Sequence, residues 1–140
     1  MTPADISLAN RLADAAGSVI RPLFRADFAH EAKADKSPVT EADRAAEAAI
    51  RAILDVECPN DSIVGEEFGT KDGTSGRCWV LDPIDGTISF MAGRPIFGTL
   101  IALLVDGFPV LGVIDQPIAG ERWLGAVGKP TTFNGAPVRT

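Results

Sequence analysis

A chain of 140 residues with 46% apolar side chains is long enough to bury one core and too apolar to stay disordered. Its net charge of −6, with no basic cluster, argues against a nucleic-acid surface. Small anionic substrates remain compatible with that charge, because a bound cation reverses the local field.

The N-terminus, Met1-Thr2-Pro3-Ala4-Asp5, lacks the basic and apolar regions of a signal peptide. The longest apolar run, Ile96 to Val105, is too short to span a bilayer and carries Gly98 and Thr99. A cytoplasmic protein without membrane contact is expected. Cys58 and Cys78 suit that compartment as reduced thiols, since neither lies in a CxxC or a Cys/His metal spacing.

Helical spacing of Ile6, Ala9, Leu12, Ala13, Ala16, Val19, Ile20, Leu23 and Phe24 predicts an amphipathic helix from about Asp5 to Phe28, weakened by Gly17 and Pro22. The polar segment from Ala29 to Pro38 reads as a loop or lid. Lys33 and Lys36 there read as solvated, with a place for Lys36 at the active site as the alternative. The sole histidine, His30, reads as a solvated helix-end residue rather than a base. Thr40 is a candidate N-cap for a second helix running to about Glu57, with Asp43 three residues on in a variant of the capping box. Asp43 therefore has a structural explanation; the functional alternative is a carboxylate facing Thr87.

Cys58-Pro59-Asn60-Asp61 stops that helix, and Ser62-Ile63-Val64 reads as a short buried strand. A polar loop from Gly69 to Gly76 precedes a strand ending at Asp82, and Gly86 to about Met91 reads as a short helix. Strands are then predicted at Phe97–Val105, Val110–Asp115, Arg122–Ala126 and near Thr131–Phe133. Turn signals separate them at Asp106-Gly107, Ala119-Gly120, Gly128-Lys129-Pro130 and Asn134-Gly135. Short connections imply an antiparallel meander, and helices followed by strands imply an α+β domain with a helix layer on one antiparallel sheet. No repeat or linker divides residues 1–140.

The chemistry concentrates in Trp79-Val80-Leu81-Asp82-Pro83-Ile84-Asp85-Gly86-Thr87, preceded by Gly65-Glu66-Glu67. Glu66, Glu67, Asp82 and Asp85 have no Lys or Arg among them, and carboxylates gathered at strand ends repel unless a cation sits between them. Oxygen ligands suit Mg2+ or Mn2+. Pro83 fixes its own φ and biases Asp82 towards an extended conformation, which turns the Ile84 carbonyl towards the same centre. An isolated D-P-x-D is more often an Asx turn and helix cap. Gly86-Thr87 after it and Glu66-Glu67 before it favour divalent metal and phosphate-ester hydrolysis.

These two motifs, in this order and spacing, resemble the signatures of the inositol monophosphatase superfamily of Mg2+-dependent sugar-phosphate phosphatases. Arg94-Pro95-Ile96-Phe97-Gly98-Thr99-Leu100-Ile101-Ala102-Leu103 and Gly112-Val113-Ile114-Asp115-Gln116-Pro117 look most like its histidinol-phosphatase branch. The resemblance implies the N-terminal half of an α-β-α-β-α sandwich and two or three Mg2+ ions, with Mn2+ as the alternative. Glu66, Asp82, Asp85 and the Ile84 carbonyl would be metal ligands, and Glu67 an outer-sphere ligand or the holder of a metal-bound water. Thr87 and Asp43 would orient the attacking water, and the backbone N–H groups of Gly86 and Thr87 would receive phosphate. The substrate implied is L-histidinol phosphate, with inositol, sugar or nucleotide phosphates as rivals, and the usual assembly of the family is a homodimer.

Two departures stand out. Ile88 occupies a position often polar or basic in relatives, and relatives are nearly twice this length, with a further aspartate in a Trp-Asp motif of their second half. The chain is expected to be the N-terminal half of such an enzyme. A non-catalytic metal- and phosphate-binding fragment is the rival from another class.

Overall fold

The computed structural model describes residues 1–26 and 38–139. The polar segment 29–37, with His30, Lys33 and Lys36, lies outside the described residues. Helices α1 (Pro3–Leu23) and α2 (Pro38–Glu57) come first. Strands β1 (Ser62–Gly65), β2 (Gly69–Lys71) and β3 (Arg77–Asp85) follow, then the short helix α3 (Thr87–Met91). The chain continues with β4 (Gly98–Val105), β5 (Phe108–Gln116), β6 (Glu121–Ala126), β7 (Thr132–Phe133) and β8 (Ala136–Pro137).

All eight of these strands form one sheet, in the order β2-β1-β3-β4-β5-β6-β7-β8. From β3 onward each strand pairs antiparallel with the next, as the short turns require. The first pairing departs from the expected meander. The supposed loop at Gly69 contains β2, which returns along β1, so β3 enters on the other side of β1 and runs parallel to it. The sheet is therefore mixed. At its far end Asn134 and Gly135, at φ 47 and 82, turn a tight hairpin into β8, which extends the sheet past the last expected strand.

Helix α1 starts at Pro3, where the Thr2 N–H donates to Asp5 Oδ2 at 2.6 Å. It ends at Leu23, short of Phe28, because Phe24 turns extended and Arg25 adopts φ 57. Helix α2 starts at Pro38, not at a Thr40 cap. Proline suits a first helical position because its missing N–H would have had no partner there. Thr40 thus lies inside the first turn, and Asp43 loses its capping explanation. It sits instead on the buried stripe of α2 with Ala42, Ala46 and Ile50.

Both long helices cover one face of the sheet, which supplies Ile63, Trp79, Leu81, Ile101, Leu103, Leu111, Val113 and Leu124 to the core. The alternate residues point to the opposite face, where Val64, Val80, Ile114 and Trp123 are exposed. Helix α3 is anchored by Phe90, whose ring meets Phe24 at 5.7 Å and Phe97 at 5.2 Å. No helix among the described residues is long and apolar enough to cross a membrane.

Candidate active site

In a regular strand, residues three apart face opposite sides of the sheet. Asp82 and Asp85 are three apart on β3, which runs on past the expected end at Asp82. Asp82 pairs with Leu100 and Asp85 with Gly98, so β3 spends one residue more than β4 over this interval. This bulge reverses the alternation: Pro83 and Ile84 are both buried, while Asp82 is half-buried and Asp85 exposed. The Thr99 hydroxyl, itself fully buried, donates to the Pro83 carbonyl at 2.8 Å.

The other acids come from the turn after β1, which lies beside β3 in the sheet. Glu66 is exposed and Glu67 half-buried. The turn is held from beneath by Glu47 of α2, whose carboxylate accepts the Glu67 N–H at 2.9 Å and the Phe68 N–H at 3.1 Å.

Helix α2 also delivers Asp43, 5% exposed, to this group. Burial, then the charges of Glu67, Asp82 and Glu66, raise its pKa to about 7, against a smaller lowering from a hydrogen bond with the Ile84 backbone. Burial, then Glu66 and Asp85, push Asp82 above the ordinary carboxylate value. Among the described residues no ion pair neutralises any of these five acids. One oxygen of Asp43 and one of Asp82, both Oδ1, are buried with no hydrogen-bond partner. Burying such an oxygen unpaired is costly.

The acids share one electrostatic neighbourhood without closing into a cage: among the described residues no three stand at metal-ligand spacing. The donor set of carboxylate oxygens, two of them buried and without a hydrogen-bond partner, and none ion-paired among the described residues, fits a hard divalent ion.

Gly86, at φ 99, starts α3, and a side chain there would press on Phe97 and the Ile96 carbonyl at 3.3–3.4 Å. Thr87 follows at the exposed start of the helix, and no hydrogen bond joins it to Asp43 among the described residues. Ile88 is 79% exposed. Two residues absent from the sequence-based set belong here. Glu47 was legible as an acid on the apolar stripe of α2, four residues after Asp43 and four before Arg51. Thr99 carried no signal, since its role depends on the bulge opposite.

The chain is 52% identical to the chloroplastic bifunctional phosphatase IMPL2 of Arabidopsis thaliana, over 96% of this chain and 39% of that one. It is 45% identical to a histidinol-phosphatase of Mycobacterium tuberculosis, over 92% of this chain and 50% of the relative. In structure it matches an inositol monophosphatase from Zymomonas mobilis with a TM-score of 0.86 and 57% identity, over 98% of this chain and 53% of the other. The chain spans about half the length of the curated relatives it matches. Residues 4–140 match the sequence profile of the inositol monophosphatase family, and the chain belongs to that family.

Proposed function

We propose that this chain supplies the metal-binding half of a Mg2+-dependent phosphomonoesterase, with L-histidinol phosphate as its first substrate. Enzymes of the family are metal-dependent phosphatases acting on small phosphorylated substrates. The observation that carries the reading is the group of five acids, none ion-paired among the described residues, around two buried carboxylate oxygens without a hydrogen-bond partner there. The likeness to curated histidinol-phosphatases supports the substrate.

Bound Mg2+ supplies charge neutralisation at the phosphoryl oxygens and makes water acidic enough to attack at neutral pH. Glu66, Asp82, Asp85 and the Ile84 carbonyl would hold the ions, and Glu67 would be an outer-sphere ligand or hold a water. Asp43 and Thr87 would orient the attacking water, with the Asp43 carboxylate placed to take its proton. The backbone N–H groups of Gly86 and Thr87 would meet the phosphate, and Gly86 there holds φ 99, a conformation that side chains rarely adopt. Thr87 has to close on Asp43 when substrate binds, because the two are not hydrogen-bonded here.

Calorimetric titration with Mg2+, followed by phosphate release from histidinol phosphate, myo-inositol phosphate, a nucleoside 3′-phosphate and fructose 1,6-bisphosphate, tests both parts. Histidinol phosphate should be turned over fastest. Asp85→Asn in a family-length version should abolish turnover with the fold intact. Retained turnover in that variant would remove the metal assignment.

A second reading, a metal- and phosphate-binding half without turnover of its own, is favoured by the exposed apolar face carrying Val80, Ile114 and Trp123. In this reading that face receives the remaining half of a family-length polypeptide. Mg2+ binding without phosphate release by the 140-residue chain would support it.

A further inference from the structure

We infer that Glu47 is the positioning residue of the Gly65-Glu66-Glu67 turn, and that its buried carboxylate sets the affinity of the site for a divalent cation. The inference rests on the metal reading proposed above. Glu47 is 0% exposed, on a helix stripe otherwise made of Val39, Ala42, Asp43, Ala46, Ile50 and Leu54. Taking a carboxylate out of water is expensive unless every oxygen finds a partner. Here both do. Oε2 accepts the Glu67 N–H at 2.9 Å; Oε1 accepts the Phe68 N–H at 3.1 Å and the Arg51 Nε at 2.9 Å.

The two backbone donors follow Glu66 directly, so the carboxylate fixes the chain at the point where Glu66 and Glu67 leave it. Arg51, one turn further along α2, completes the clamp. It neutralises Glu47 and donates to the Gly69 carbonyl, while the Phe68 ring lies under the Arg44 guanidinium at 4.9 Å. With these bonds made and its charge paired, Glu47 holds the turn rather than joining the five acids that have no ion pair among the described residues.

Gly65 is the other half of the device. A Cβ built there would overlap the Glu47 carboxylate, so only glycine lets the acid lie against the end of β1. The glycine before the acid pair and the acid on the buried face of α2 answer a single packing requirement. A glutamine at position 47 keeps the volume but turns an NH2 group towards one of the two N–H donors, which forces the turn to move.

The test uses the whole chain and reads Mn2+ affinity by the free-ion EPR signal, amide exchange at Glu67 and Phe68, and the thermal melt without metal. Glu47→Gln should lose between about 10- and 100-fold in Mn2+ affinity, the range for residues that orient metal ligands. Protection at Glu67 and Phe68 should fall with it. Gly65→Ala should show the same two losses with the Glu47 chemistry untouched. A general loss of stability would lower the melt without singling out protection at Glu67 and Phe68. Should Glu47→Gln unfold, Gly65→Ala decides. Wild-type affinity in a folded Glu47→Gln or Gly65→Ala overturns the inference alone. A wild-type chain that binds no Mn2+ overturns the metal reading and the inference with it.

Discussion

The buried Thr99 hydroxyl donates to the Pro83 carbonyl at 2.8 Å, across the point where β3 carries one residue more than β4. That bond closes the bulge which brings Asp82 and Asp85 to the same side. Thr99→Val preserves the shape of the side chain and leaves a buried carbonyl unpaired, at a cost of about 1–3 kcal/mol. Urea denaturation should show that loss, and Mn2+ affinity should drop alongside it. A variant matching wild type in both would mean that the bulge holds without Thr99.

Asp43 makes the metal-free protein sensitive to pH in a specific direction. The unfolded chain releases this proton near the ordinary value of 3.8, whereas the folded chain keeps it to about 7. Between those values the folded state binds more protons, so the contribution of Asp43 to stability falls as pH rises through the window. A bound cation opposes this by favouring the charged carboxylate. Mg2+ binding should therefore strengthen from about pH 5 to about pH 7 and release protons, read by calorimetry in buffers of different ionisation enthalpy. Affinity that is flat across that range would take Asp43 out of the charge balance of the site.

Removing one like charge should stabilise the protein when metal is absent. Burial, then Glu66 and Asp85, raise the pKa of Asp82. Asp85→Asn relieves part of that repulsion, for a gain on the order of 0.5 kcal/mol at a solvent-screened site. Its thermal melt should rise slightly without Mg2+ and cease to respond to added Mg2+. A melt that still climbs with Mg2+ as wild type does would show that Asp85 holds no ion.

A separate network braces the opposite end of β3. Asp61, 4% exposed, accepts from Trp79 Nε1 at 2.9 Å, Ser75 Oγ at 2.8 Å and Arg77 Nε at 3.1 Å, and Arg77 also reaches Asp5 at 2.6 Å. Asp61→Ala strands the Trp79 indole N–H and the Arg77 Nε, whose charge Asp5 still pairs, and should cost about 1–3 kcal/mol in a denaturant titration.

Burial pushes the Asp61 pKa up, but the hydrogen bonds from Ser75, Trp79 and Arg77 outweigh it and hold the group below its ordinary value. Its stabilisation is present above the unfolded carboxylate pKa and lost as pH falls through the folded one. Asp61→Asn should accordingly flatten the acid limb of the stability profile. An unchanged acid limb would assign that limb to other carboxylates.

The sequence by itself pointed to the family, to most of the helix–strand order and to the candidate acids of the site. These are properties of local periodicity, turn chemistry and two compact motifs. It placed Glu66, Asp82 and Asp85 near one another without the reason that they can meet, since a three-residue spacing in a regular strand sends Asp82 and Asp85 to opposite faces. Only pairing with β4 creates the bulge that reconciles them. Tertiary structure likewise decided that Asp43 is buried rather than capping a helix, and that Glu47 rather than solvent holds the Glu66-Glu67 turn. Both outcomes depend on how deeply α2 lies against the sheet, a long-range packing distance that no window of neighbouring residues encodes.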